Sequence, residues 1–152
     1  MNTAKELAET ELFKDLPAEQ LAAFAAIARE ARYQPGQVVY EAGSAGDALY
    51  LIVAGEFVVR AKDENGDEVE VATLRTGSYF GEMEVVGGMS RTASVAADGD
   101  ARCYRIDAGT LVDLLKRNDK IAAHFYRQVC RELIKRLKST TRDMGYFKAR
   151  VV

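Results

Sequence analysis

Apolar and polar positions change their period along the chain. Leu12, Leu16, Phe24 and Ile27 recur among Ala22, Ala23, Ala25, Ala26 and Ala28, good helix formers with a repeating apolar side. Pro17 stands where a new helix would begin, since proline is tolerated in a first turn and not in an interior. Residues 1–30 are therefore predicted to form a helical segment split near Pro17. From Tyr33 the pattern becomes short runs with glycine punctuation: Gln37–Glu41, Ala48–Val53, Glu56–Ala61, Glu68–Leu74, Ser94–Ala97 and Arg102–Ile106. Val38/Tyr40, Leu49/Leu51/Val53 and Val69/Val71 alternate as half-buried strands do. Asn65-Gly66 is expected to close a tight hairpin with positive φ at both residues. Nothing alternates strand with helix, so a parallel sheet is not expected and a sandwich or barrel is.

After Asp107 the helical period returns, with Leu111, Val112, Leu114 and Leu115, a break at Asn118-Asp119, and a long helix to about Thr141 that Asp119 is expected to cap. Apolar residues on this helix come in pairs four apart: Ile121/Ala122, Phe125/Tyr126, Val129/Cys130, Leu133/Ile134, then Leu137. Four residues advance 400°, so each pair lies about 40° round from the last and the stripe winds about 160° in all. Its two ends cannot face one flat core. Phe125 and Val129 are expected to pack on the strands, and Ile134 and Leu137 on the helix of a second copy, or on a folded-back tail. The predicted class is α+β: an antiparallel β-roll, a jelly-roll-like barrel, with N-terminal helices and two C-terminal helices. The β-roll spans 31–107, the C-terminal helices 108–142, and a tail or lid 143–152, all in one domain.

At 152 residues there is room for one domain of ordinary size. With 48% hydrophobic and 29% charged residues, disorder as the main state is excluded. No apolar run approaches the roughly 20 residues of a membrane span, and MNTAKELAET has no apolar signal core, so a cytoplasmic protein is expected. Cys103 and Cys130 lack metal or disulfide spacing and are expected to be small buried side chains. The net charge of −2 argues against a surface built for polyanions. Residues 131–150 nevertheless carry seven cationic residues against Glu132 and Asp143, a local +5 beside −7 elsewhere. The bland account is a solvated helix face.

Enzyme signatures are missing. His124 is the single histidine, so neither a histidine metal cluster nor a generous Ser-His pair can be assembled. GxSxG, GxxxxGK[ST] and HExxH are absent, and no catalysis, cofactor or metal is expected. The informative stretch is 77–95, GSYFGEMEVVGGMSRTASV. A glycine-marked turn leads into a short potential helix whose first N–H groups have no intrahelical partner and lie at a partially positive end. Arg91 could fork onto the same anion with two parallel donors, and an ionised Glu82 would accept from neighbouring hydroxyls. An anion beside hydroxyls describes a sugar phosphate.

In these residues the chain resembles the cyclic nucleotide-binding domain family. Its phosphate cassette is similar to Phe80-Gly81-Glu82 followed by Arg91-Thr92-Ala93, and its glycine framework to Pro35-Gly36, Gly43, Gly46-Asp47, Tyr50 and Gly55. The resemblance runs from about Leu12 to Leu137. It implies that Arg91 binds the exocyclic phosphate, Glu82 the ribose 2′-hydroxyl, and the N–H groups of Gly81, Met83 and Glu84 the rest of the anion. It places Thr92 near the base, where a threonine is associated with cyclic GMP acceptance and leaves cAMP and cGMP both open. Tyr146 and Phe147 are the aromatic candidates for a lid over the base.

Two positions depart from the family pattern. Ser90 replaces a common proline, and Glu84 stands where a small or apolar residue is usual. A carboxylate aimed inward would repel the anion, so Glu84 is expected to point to solvent. The duller account of Arg91 is a pair with Glu82 or Glu84. The function expected is a cyclic mononucleotide sensor that signals through its C-terminal helices to a separate effector or as a homodimer. Direct DNA reading is not expected, because no helix-turn-helix follows the long helix. The alternatives are a ligand-free interaction module on the same fold and a cyclic dinucleotide receptor.

Overall fold

The computed structural model describes residues 2–144, with side chains through residue 139. Helix α1 (Thr3–Ala8) starts at Asn2, whose side chain accepts the Lys5 N–H at 3.3 Å. After a turn, α2 (Ala18–Ile27) begins directly behind Pro17. The helical segment ends earlier than the sequence suggests, because β1 (Arg29–Tyr33) already pairs antiparallel with β8 (Ala101–Asp107). Arg29, Glu30 and Arg32 give that strand no apolar run to betray it. Between them lie β2 (Val38–Tyr40), β3 (Ala48–Ala54), β4 (Glu56–Lys62), β5 (Glu68–Arg75), β6 (Tyr79–Phe80), the short helix α3 (Glu82–Gly87) and β7 (Ser94–Ala97). Helices α4 (Ala108–Arg117) and α5 (Asp119–Met144) follow.

Two four-stranded antiparallel sheets form the roll, in the orders β1-β8-β3-β6 and β2-β7-β4-β5. The expected class holds, a jelly-roll-like β-roll with helices at both ends. Two cores result. One fills the space between the sheets with Tyr50, Ile52, Phe57, Phe80, Val95 and Cys103; the other packs Leu49, Leu51, Tyr79, Tyr104 and Ile106 against the helices. Strand β3 feeds both, which is why it is apolar at nearly every position rather than half-buried. By contrast Val69 and Val71 on edge strand β5 are exposed, against the expected half-burial, since that strand has a neighbour on one side only.

The β4–β5 hairpin also differs from the expected two-residue turn. Only Gly66 has positive φ, at 83°, and Asp63 Oδ1 accepts the N–H groups of both Asn65 and Asp67 at 2.9 Å. Asp63 bonds to Asp67 across a three-residue loop, so asparagine works as an ordinary turn residue here.

Helix α5 is capped by Asn118, whose Oδ1 accepts the Ile121 N–H at 3.1 Å, in place of the expected Asp119. Phe125 and Val129 are buried in the helix-side core, Phe125 beside Phe24 at 6.2 Å between ring centres. Farther along, Ile134 and Leu137 are 52% and 60% exposed, so the winding stripe leaves the core as its geometry requires. Cys103 is buried as expected, whereas Cys130 is exposed, correcting the expectation for it, since the helix turns about 100° between the buried Val129 and Cys130.

Candidate functional site

The 77–95 stretch folds into one wall of a cavity of about 240 Å³. Phe80, Gly81, Glu82, Met83 and Glu84 line it from β6 and α3, Thr92 and Ala93 from the segment before β7, and Val59, Ala72 and Leu74 from β4 and β5. Two residues join them that the sequence did not single out: Tyr40 from β2 and Arg136 from α5. Tyr146 and Phe147 lie outside the described residues.

Gly81 makes the turn from β6 into α3. Its φ is +90°, and a Cβ there would stand 2.7 Å from the Ala48 carbonyl and 2.9 Å from Arg91 Nη1, so no other residue type brings the Arg91 guanidinium this close. Gly46 is needed on the opposite side, where a Cβ would meet Glu84 Cβ at 2.6 Å. Phe80 points away from the helices and stacks on Tyr50 with ring centres 4.9 Å apart, anchoring the start of the turn in the roll interior.

Arg91 is wholly buried and does not line the cavity. Nη1 donates to the Gly81 carbonyl at 2.9 Å and to Glu84 Oε1 at 2.8 Å; Nη2 donates to the Ala48 carbonyl at 2.7 Å, with Asp47 Oδ1 at 3.5 Å. Its plane lies 4.0 Å from the centre of the Tyr40 ring, a cation on an aromatic face. Nε alone has no partner. Glu84 therefore points inward, correcting the expectation of a solvent-facing carboxylate. The reason is electrostatic: a guanidinium sealed from water needs an anion, and residue 84 is within reach on the first turn of α3.

Glu82 is buried as well. Burial pushes its carboxyl up from the ordinary carboxylate range, against the opposing pull of Arg136, which donates Nη1 to Glu82 Oε1 at 3.0 Å. Arg136 also lies 5.7 Å from the centre of the Tyr79 ring. The Tyr79 hydroxyl is buried without a partner, and burial drives its pKa well above the usual phenol range. Met83 and Thr92 are exposed at the rim. Asp47 extends the network outward, its Oδ2 accepting from Arg105 at 3.2 Å.

The cavity wall thus offers two carboxylate acceptors, one cation from a distant helix, apolar strand positions and a threonine, a lining able to receive hydroxyls and a flat apolar ring. Among the described residues no group of three or more His, Cys, Asp or Glu is placed to hold a metal. No helix among them is long and apolar enough to cross a membrane. Arg136 could have been anticipated only as one cation of the +5 segment, since its partner lies 54 positions away.

Residues 30–118 match the cyclic nucleotide-binding domain. Over 121 residues, 75% of this chain, the sequence is 34% identical to a cAMP-dependent protein kinase regulatory subunit of Mucor circinelloides f. lusitanicus, of which it spans 28%. It is 33% identical over 107 residues to cyclic GMP-binding protein C of Dictyostelium discoideum, covering 70% of this chain and 4% of that one. The chain spans about a quarter or less of the length of these relatives. Its fold matches the catabolite activator protein of Thermus thermophilus with a TM-score of 0.78 at 23% identity, over 91% of this chain and 63% of that one.

Proposed function

This chain belongs to the cyclic nucleotide-binding domain family, and we propose that it binds a cyclic mononucleotide, cAMP or cGMP, and relays the event to a separate partner without catalysis. The observation that carries the reading is the gathering of Phe80–Glu84 with Thr92 and Ala93, two segments of the 77–95 stretch, around one cavity. Glu82 accepts from the ribose 2′-hydroxyl, Arg91 and the N–H groups of Gly81, Met83 and Glu84 take the phosphate, and Thr92 stands at the rim nearest the base. Segment 77–95 is the phosphate cassette, and residues 143–152, with Tyr146 and Phe147, the lid or tail.

Transmission follows from the two partners of Glu82. A ribose hydroxyl donating to Glu82 shares the carboxylate with Arg136 and weakens its hold, so ligand and α5 are linked through one side chain. The ligand shifts α5 only by its difference in affinity between the attached and detached arrangements. Charge-assisted hydrogen bonds of about 1.5–3 kcal/mol each set the scale of that difference. The exposed Ile134 and Leu137 are the contact surface for a second copy of the chain, with an effector reading the change. An exposed free thiol at Cys130 suits a reducing, cytoplasmic compartment.

One observation supports a second reading. The Arg91–Glu84 pair already satisfies the guanidinium, as it would in an interaction module on this fold that takes no ligand. Calorimetry with cAMP and cGMP separates the two. Saturable heat from either supports the sensor; none at millimolar concentration supports the module. Competition with a cyclic dinucleotide tests the remaining ligand class.

A further inference from the structure

The Arg91 guanidinium has five N–H donors, and four of them have an acceptor here: the Gly81 and Ala48 carbonyls, Glu84 Oε1 and, at 3.5 Å, Asp47. The one unused donor, Nε, is buried. A phosphate cannot be gripped by two parallel N–H groups while this arrangement stands.

Arg91 is also the wrong partner to move. Two backbone carbonyls hold it in place, and Tyr40 covers its face. Of its two side-chain acceptors, Glu84 lines the cavity and Asp47 does not. Within the pair it is Glu84 that keeps contact with the cavity, with 8% of its side chain exposed against none for Arg91. The approaching ligand also meets a lining with Glu82 and Glu84 against Arg136 alone, a net negative wall.

We propose that Glu84 determines the affinity and specificity of this site by occupying the phosphate position of Arg91, so that binding exchanges an internal carboxylate for the phosphate of the ligand. The proposal rests on the reading of the cavity as a cyclic nucleotide site and adds what regulates it. Glu84 acts as a tethered competitor: its effective concentration at Arg91 is high, and a ligand gains only the difference between a phosphate and a carboxylate on the same donors. The exchange also strands a buried carboxylate beside a second anion unless the side chain swings out. The site is therefore set to respond only to high ligand concentrations, and its selectivity for the phosphate over the bare nucleoside is blunted.

The test is a cycle between residue 84 and the ligand's phosphate, read by calorimetry on the full chain. Probes are cAMP and cGMP, with adenosine and guanosine as partners that lack the phosphate. Glu84→Gln keeps the shape of the side chain and an acceptor for Arg91 while removing the charge. The expected result is an increase of about tenfold or more in affinity for a cyclic nucleotide, with the matching nucleoside changed by less than about twofold. Adding Arg91→Ala to Glu84→Gln should abolish that gain, which a merely structural effect at position 84 would not do. Equal tightening of nucleotide and nucleoside, or no tightening, overturns the proposal, and a wild-type chain that still binds leaves the cyclic nucleotide reading intact. If no folded variant binds either cyclic nucleotide, both fall. A wild type that shows no heat beside a Glu84→Gln variant that does supports Glu84 as the competitor while assigning the wild-type chain to the ligand-free reading.

Discussion

Arg136, on the exposed half of α5, donates Nη1 to Oε1 of Glu82 at 3.0 Å. One end of this pair is nearly sealed from water and the other is 47% exposed. It ties the C-terminal helix to the first residue of α3, and it is the only described ion pair between those two helices.

Because burial raises the Glu82 carboxyl while Arg136 lowers it, removing Arg136 has a pH-dependent cost. An acid whose pKa is raised on folding favours the folded state when protonated and opposes it when ionised, so stability falls as pH rises through its folded value. Arg136→Ala moves that value further up. The expected loss is about 1 kcal/mol or less, given the exposure of the guanidinium, larger at pH 8 than at pH 5 in urea denaturation. An equal loss at both would refute the assignment.

A second pair works in the opposite direction. Glu6 in α1 is held by Arg102 and by the Tyr104 hydroxyl at 2.7 Å, and its carboxyl is pulled down to about 2, chiefly by the hydrogen bond from Arg102. A depressed acid contributes stability that is present above the ordinary carboxylate range and disappears as pH falls toward 2. Glu6→Gln should lose stability near neutrality and show a shallower acid limb than wild type in thermal denaturation between pH 5 and 2.

The attachment of α5 rests mainly on aromatic packing. Phe125 is buried beside Phe24, which itself stacks on Phe13 at 4.4 Å. Phe125→Ala should destabilise the chain by about 3–5 kcal/mol, the range for an emptied aromatic site that cannot collapse. Guanidinium denaturation provides the check, and a loss under 1 kcal/mol would mean that α5 is not seated as described.

Farther along the same helix, Ile134 and Leu137 make the proposed dimer contact. Light scattering of wild type should report twice the mass of the single chain, and Ile134→Glu with Leu137→Glu should return it to one. A wild type that already scatters as a monomer ends the idea.

Much of this architecture was legible in the residue pattern. The glycine-punctuated runs located six of the eight strands among the described residues, and the four-residue pairing on α5 separated the buried Phe125 and Val129 from the exposed Ile134 and Leu137. The two missed strands failed for physical reasons. β1 carries charged residues, and β6 has only two residues, too few to show a period. That Phe80–Glu84 would meet Thr92 and Ala93 was legible because a turn and a helix start are local features. Arg136 and Tyr40 were not, since each reaches the site from an element remote in the chain.

Glu84 marks the boundary most sharply. That a carboxylate occupies this position, next to a glycine-framed turn and seven residues before an arginine, is written in the amino-acid order. Whether it faces water or the guanidinium is not, because that depends on the Ala48 and Gly81 carbonyls and the Tyr40 ring closing around Arg91 from three different elements. Periodicity and turn chemistry are short-range and can be read along the chain. The sealing of one charge from water is a property of everything packed around it, and it exists only once the chain has folded.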